Sequence, residues 1–117
     1  GFPIDRFLFL GFPPAKKKRK KFFEEVLNSK YPAIFYESCH RILKTLEELV
    51  SCYHSHGHGN TEVLETPKVV VCQELTKKFE KIYRSQLDEV LERLKGADLR
   101  GEFVVVVNKC TKFRKDE

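Results

Sequence analysis

Apolar residues follow two patterns along this chain, short continuous or alternating runs and positions spaced three or four residues apart. The runs are rich in β-branched and aromatic residues, which favour strands. They predict strands at residues 6–10, 33–37, 68–73, 81–84 and 103–107. Residues 68–73, KVVVCQ, are almost all apolar, so we expect this strand to be central and covered on both faces.

The helical spacing predicts three amphipathic helices, near residues 17–28, near 39–51, and from Ser85 to Gly96. Ser38 is expected to cap the second, and Ser85 with Asp88 forms a capping-box pattern for the third. The order β-α-β-α-β-β-α-β predicts an α/β fold. We expect a layered domain with a mixed, mostly buried sheet of about five strands and three or more helices.

Two further segments lack these patterns. Residues 52–66 are rich in His and Gly and predict a loop, and residues 109–117 predict a charged tail. Imidazoles alternate at His54, His56 and His58, a pattern that binds metals in some flexible loops. Because no cysteine or carboxylate stands at convincing ligand spacing, we expect a mobile surface loop and no metal.

Size and composition indicate one globular domain. The chain has 117 residues, of which 41% are hydrophobic and 33% charged, as in soluble proteins. No apolar run approaches the roughly 20 residues that span a bilayer, and no signal peptide pattern is present. The first residues lack an initiator Met, which predicts a piece of a longer protein.

The cysteines predict a reducing compartment. Cys39, Cys52, Cys72 and Cys110 form no C-x-x-C pair, and their spacing fits no zinc pattern. We therefore expect reduced thiols in a cytoplasmic protein.

The positive charge is concentrated in one run. The net charge is +5, and residues 16–21 are six consecutive basic residues that exceed this surplus. Lysines at a helix N-terminus oppose the helix dipole, so helix stability does not explain them. A polyanion partner such as RNA would explain these lysines, since phosphates bind to basic side chains. A solvated loop or a nuclear-localisation-like run is the alternative.

Residues 34–42, IFYESCHRI, predict a strand that turns directly into a helix. Open α/β sheets bind ligands at such junctions, where the first helical N–H groups are unpaired. An ordinary strand-to-helix connection is an equally good interpretation of this segment alone.

Four segments together carry a family resemblance. They are GFPIDRFLFLGF with the basic run after it, IFYESCHRILKTLEEL, the 68–73 strand followed by ELTKKFEKIYR, and GEFVVVV. In this order they resemble the C-terminal half of the tetrapyrrole-methylase superfamily. Within it, the resemblance is to bacterial enzymes that methylate a cytidine ribose 2′-oxygen in small-subunit ribosomal RNA. The chain departs from the family pattern at Pro14, Cys39, Gln73 and Arg84-Ser85, and in a longer 52–66 loop.

The resemblance implies that residues 1–117 are the single C-terminal α/β domain of a two-domain methyltransferase. It implies S-adenosylmethionine as cofactor, bound in a cleft between this domain and a missing N-terminal domain. It also implies a ribosomal RNA or small-subunit substrate, a homodimer and no membrane partner. The isolated domain should then be inactive.

The resemblance also implies where the cofactor binds. The expected positions are strand ends and turns that face the cleft: Tyr36, Glu37, Ser38, Glu74, Leu75, Thr76, Gly101, Glu102 and Phe103. Transfer to a hydroxyl benefits from a general base, and the strand-end carboxylates Glu37 and Glu74 are the candidates. Glu37 could instead cap backbone N–H groups or pair with Arg41. His40 could act as a base, although a role at the helix start is the more common one.

Basic side chains near these segments are the candidate RNA ligands. They are Lys16, Lys17, Lys18, Arg19, Lys20, Lys21, His40, Arg41, Lys77 and Lys78. A solvated face is the alternative for them. Two other functions stay open: a small-molecule methylase acting on a tetrapyrrole, and a non-catalytic RNA-binding module.

Overall fold

A computed structural model describes residues 6–55, 66–74 and 77–108. Its elements follow the predicted order, and the layered α/β fold with five strands and three helices is confirmed. The elements are β1 (Leu8–Gly11), α1 (Arg19–Asn28), β2 (Ala33–Ser38), α2 (Ile42–Ser55), β3 (Lys68–Gln73), β4 (Lys81–Gln86), α3 (Leu87–Lys95) and β5 (Glu102–Val107).

The five strands form one mixed sheet in the order β1-β2-β5-β3-β4. β1 is parallel to β2, whereas β5 is antiparallel to both β2 and β3, and β4 is antiparallel to β3. β1, β2 and β3 therefore run in the same direction and end at the same edge of the sheet. In this register Phe103, near the start of β5, lies opposite both Glu37 and Gln73.

The core lies on one face of the sheet. Alternate strand residues such as Phe35, Val71 and Val105 are fully buried and pack with apolar side chains of all three helices. Their neighbours Tyr36 and Val104 belong to the opposite face and are partly exposed. The prediction that β3 is covered on both faces is therefore wrong within the described residues, which leave one face open.

The predicted start and end of α2 were wrong. The helix begins at Ile42, because residues 39–41 form a turn in which the Arg41 N–H donates to the Ser38 carbonyl, at 3.1 Å. It continues to Ser55, so Cys52 and Tyr53 are buried helical residues and not part of a loop. Residues 56–65 of the predicted loop, with two of its histidines, lie outside the described residues, as does the tail at 109–117.

The predicted capping box on α3 was also wrong. Ser85 lies inside β4, which runs two residues further than expected, and its hydroxyl donates to Glu89. The cap comes from a distant residue: the buried Thr66 hydroxyl accepts the Asp88 N–H at 3.1 Å and donates to the Asp88 carboxylate at 2.8 Å. Smaller shifts place the start of α1 at Arg19 and move β1 one or two residues along the chain.

Three of the four cysteines, Cys39, Cys52 and Cys72, are free thiols, and Cys110 lies outside the described residues. Burial raises the pKa of Cys52 and of Cys72, which keeps both thiols protonated at neutral pH. Across the described ranges, every helix is too short or too polar to cross a membrane. The same ranges contain no cluster of three or more residues suited to a metal ion.

Candidate functional site

An open depression of about 280 Å³ lies at the edge where β2 and β3 end and β5 begins. Most of its lining residues are among those predicted for the cofactor. The lining consists of Tyr36, Glu74, Lys77, Glu102, Phe103 and Val104. The structure thus brings together residues from three distant parts of the sequence. Ser38 ends β2 opposite Glu102, while Leu75 and Thr76 lie outside the described residues.

Glu74 is fixed at this edge by its backbone. Its φ of 56° is in the left-handed region, which is uncommon for a residue with a side chain. The Glu74 N–H donates to the Glu102 carbonyl at 2.9 Å, and its carbonyl accepts the Lys77 N–H at 2.9 Å. The carboxylate, with only 16% of the side chain exposed, lies 3.6 Å from the Lys77 ammonium. Hydrogen bonding to Asp98 raises the pKa of the nearby Arg100, and Glu74 adds to this effect.

Gly101 leaves the space that the Glu74 side chain occupies. A Cβ at this position would overlap the Glu74 carboxylate and would lie 2.9 Å from its Cγ. The glycine φ of +76° also disfavours any side chain. The Gly101 carbonyl accepts the Cys39 N–H at 3.1 Å, which ties this turn to the end of β2.

We expect Gly101→Ala to destabilise the protein by about 1–3 kcal/mol and to displace Glu74, because the alanine meets both backbone strain and steric overlap. Thermal unfolding would measure the loss of stability, and a crystal structure of the variant would show the displacement of Glu74. Gly96→Ala is the matched control, since its φ is −101° and nothing lies within 4 Å of the added Cβ. Equal stability of the two variants would contradict the proposed overlap.

Gln73 positions the segment that leads into Gly101. Its side-chain amide donates to the carbonyls of Asp98, at 2.9 Å, and Arg100, at 3.1 Å. Its buried oxygen has no partner among the described residues. The sequence marked Gln73 as a departure from the family pattern that removes a charge next to the expected site. Its hydrogen bonds to the carbonyls of Asp98 and Arg100 were not predicted.

Glu37 lies on the opposite, helix-covered face and is 2% exposed. One carboxylate oxygen accepts the Ser38 N–H at 2.9 Å, and the other accepts the Thr45 hydroxyl at 2.6 Å. The same Thr45 oxygen accepts a hydrogen bond from Arg19 at 3.1 Å. These contacts agree with a backbone-capping role for Glu37 and do not bring its carboxylate to the depression.

Arg19 and Arg41 hold the chain ahead of α1. Arg19 pairs with Glu48 at 2.5 Å and donates to the Pro14 carbonyl at 2.6 Å, and 11% of its side chain is exposed. Arg41 donates to the carbonyls of Pro14, at 3.4 Å, and Ala15, at 3.3 Å. Both guanidinium groups are therefore engaged within the domain.

The lysines of the basic run are exposed at the start of α1. They are Lys16, Lys17, Lys18, Lys20 and Lys21. Lys18 is the N-cap residue with a left-handed φ of 68°, and no side chain in the described part of the chain caps the helix there. Lys77, Lys78 and His40 are also exposed. The candidate RNA ligands thus form separate groups, one beside β1 and another beside the Glu74 turn.

The chain was compared with family models, with curated proteins and with solved structures. No family model matches it. It is 35% identical over 108 residues to ribosomal RNA small subunit methyltransferase I of Halalkalibacterium halodurans, covering 92% of this chain and 34% of that protein. It is 38% identical over 111 residues to the protein of the same name from Hydrogenobaculum sp., covering 93% of this chain and 43% of the relative. The chain therefore spans well under half the length of these relatives.

A solved structure shares the fold. Cobalt precorrin-4 methyltransferase, a cobalamin biosynthetic enzyme, superposes with a TM-score of 0.56 at 14% identity. The match covers 88% of this chain and 40% of the enzyme. At this identity the likeness shows a shared fold and carries no information on the substrate.

Proposed function

This chain is homologous to a segment of the ribosomal RNA small subunit methyltransferase I family, and on that premise we propose that it forms one wall of a methyltransferase cofactor cleft. The observation that carries the proposal is the gathering of Tyr36, Glu74 and Glu102 around one depression at the sheet edge. The methyl donor is S-adenosylmethionine, and the acceptor is a cytidine ribose 2′-oxygen in small-subunit ribosomal RNA.

The residues at the depression fit part of this cofactor. Pockets for ligands of this size usually measure about 300–1,000 Å³ and enclose most of the ligand. The depression is open and, at about 280 Å³, is near the lower end of this range, and in this proposal a second domain supplies the opposite wall. Tyr36 and Val104 offer apolar surface, and the Glu102 carboxylate can accept hydrogen bonds from hydroxyl or ammonium groups. When bound, S-adenosylmethionine supplies an electrophilic methyl group on a sulfonium sulfur.

Glu74 is the general base in this proposal. A ribose hydroxyl is a weak nucleophile until its proton is accepted, and a carboxylate at hydrogen-bond distance can accept it. Of the two candidate carboxylates, Glu74 lines the depression, whereas both oxygens of Glu37 are bonded within the domain. Two contacts hold the Glu74 side chain in place. Its carboxylate pairs with the Lys77 ammonium and packs against Gly101.

The exposed lysines of the basic run contact RNA phosphates. They stand at a helix start where they oppose the dipole, so binding explains them better than folding does. The whole protein acts as a cytoplasmic homodimer on the small ribosomal subunit, and the isolated chain lacks half of the catalytic cleft.

The test uses the full-length protein, S-adenosylmethionine with a labelled methyl group, and small ribosomal subunits that lack the modification. We expect label on the ribose of a cytidine, and none when the isolated 117-residue chain replaces the full-length protein. Cofactor binding without label on RNA would contradict the proposed substrate. Label on a tetrapyrrole precursor would then identify a small-molecule methylase, and RNA binding without cofactor binding would identify a non-catalytic module.

A further inference from the structure

Three exposed aromatic rings form a cluster next to the candidate site. Phe9 and Tyr36 have ring centroids 5.3 Å apart at 71°, and Phe12 and Tyr36 are 5.5 Å apart at 65°. The three side chains are 51%, 39% and 57% exposed in the order Phe9, Tyr36, Phe12. Large apolar side chains are rarely left exposed together unless they bind something.

The backbone fixes this cluster before any ligand binds. β1 lies parallel to β2, and the register between them shifts after Phe9. Gly11 has a φ of +71°, and its turn brings Phe12 back to the ring of Tyr36. The hydrogen bonds from Arg19 and Arg41 to the Pro14 carbonyl then hold the chain that follows. The rings therefore sit in a preformed arrangement.

The cluster lies between the depression and the basic run. Tyr36 belongs to both the cluster and the lining of the depression that holds Glu74. Lys16 is four positions after Phe12 in the sequence, so the two Cα atoms lie within about 14 Å of each other. Each edge-to-face contact covers one face of one ring, and all three rings stay at least 39% exposed. Single-stranded RNA is bound by aromatic faces for its bases and cations for its phosphates.

We propose that Phe9, Phe12 and Tyr36 form a stacking platform for unpaired bases of the RNA strand whose phosphates contact the neighbouring lysines. This inference rests on the proposed function and adds a base-binding surface to it. The platform would hold nucleotides that flank the methylated one, since Phe9 and Phe12 lie outside the lining of the depression and Tyr36 alone is shared with it.

Charge favours RNA over a second copy of the chain on this cluster. A second copy docked here by two-fold symmetry would bring its own exposed lysines toward Lys16, Lys17 and Lys18, and like charges repel. Elsewhere on the open sheet face, aliphatic residues such as Ile34 and Val106 share the face with polar residues such as Arg84 and Gln86, which distinguishes it from the aromatic cluster.

The experiment measures binding of the full-length protein to two probes by fluorescence anisotropy. One probe is a short labelled single-stranded oligocytidine, and the other has the same phosphates with abasic sites in place of the bases. We expect Phe12→Ala and Phe9→Ala each to weaken oligocytidine binding by about 10-fold or more and to leave abasic binding unchanged. Phe12→Tyr retains an aromatic face and should bind oligocytidine with nearly the wild-type affinity.

Phe79→Ala is the matched control. Phe79 is 63% exposed and lies beside Lys78 in the turn before β4, the strand farthest from β1 in the sheet order. Its removal should change oligocytidine affinity by less than about twofold. The inference is overturned if Phe12→Ala weakens both probes equally, or if it alters the mass in light scattering while oligocytidine affinity stays the same. If no variant or wild-type protein methylates RNA, the proposed function fails, whichever probe result is found.

Discussion

Replacing Glu74 with glutamine is expected to lower kcat for RNA methylation by about 100-fold or more, with a smaller effect on the KM for S-adenosylmethionine. Glutamine keeps the shape of the side chain and can pack against Gly101, but it cannot accept the proton of the ribose hydroxyl. Single-turnover transfer of a labelled methyl group would measure the chemical step directly. The expected loss is large because Glu74 lines the depression with its side chain largely buried, whereas the other carboxylate of the lining, Glu102, is exposed.

Two further carboxylates provide controls for Glu74→Gln. Glu102 lines the same depression and is exposed, so Glu102→Gln makes the same change of charge without removing the proposed base. Glu37→Gln alters a buried group that accepts bonds from Ser38 and Thr45, and should lower thermal stability instead. A normal kcat in Glu74→Gln, with a large loss in a stably folded Glu37→Gln, would reverse the assignment.

The order of elements could be predicted because it depends on local pattern. β5 and β3 are short apolar runs, and the spacing of Leu87, Val90, Leu91 and Leu94 gives α3 one buried face. These patterns predict the elements correctly because the apolar side chains that define each pattern are the ones that the folded sheet and helices bury. Strand order and register could not be predicted from the local pattern, because they depend on pairing between segments that are distant in the sequence.

The two candidate bases show what the sequence could and could not separate. Glu37 is two residues after Phe35, and period-two alternation places both on the buried face of β2. That signal was present and favoured a structural role. Glu74 lies past the end of β3, where alternation gives no guidance. Its place opposite Gly101 follows from two left-handed backbone conformations that the residue types alone did not predict.

Tertiary contacts account for the other errors. Thr66 caps α3 by bonding to Asp88, 22 residues further along the chain, so the local sequence pattern predicted Ser85 as the cap instead. Within the basic run, Arg19 is as charged as its neighbours, yet it is the member that pairs with Glu48 and packs its guanidinium 5.2 Å from the Phe23 ring centroid. A run of like charges cannot show which member turns inward, because helix phase and the partner on α2 decide it.

Neutralising the five exposed lysines of the run, at 16–18, 20 and 21, to glutamine is expected to weaken RNA binding by about 100-fold or more at low salt. Each phosphate contact to a single strand contributes about 0.7 to the slope of log affinity against log salt. Loss of five contacts should therefore flatten the slope by roughly 3.5. Anisotropy with a labelled single-stranded RNA over a salt series would measure both quantities.

Matched double variants distinguish local contact from net charge. Lys16→Gln with Lys17→Gln removes two charges that follow the aromatic cluster in the sequence. Lys30→Gln with Lys68→Gln removes two exposed charges, one before β2 and one at the first residue of β3, at the opposite end of these strands. The first pair should flatten the salt slope by about 1.4, and the second should leave it nearly unchanged. Arg19→Gln should lower thermal stability and preserve the slope, because its guanidinium is bonded to Glu48 and Pro14. Equal slopes for the two double variants would mean that RNA responds to the overall charge of the domain, and that the basic run has no specific place in recognition.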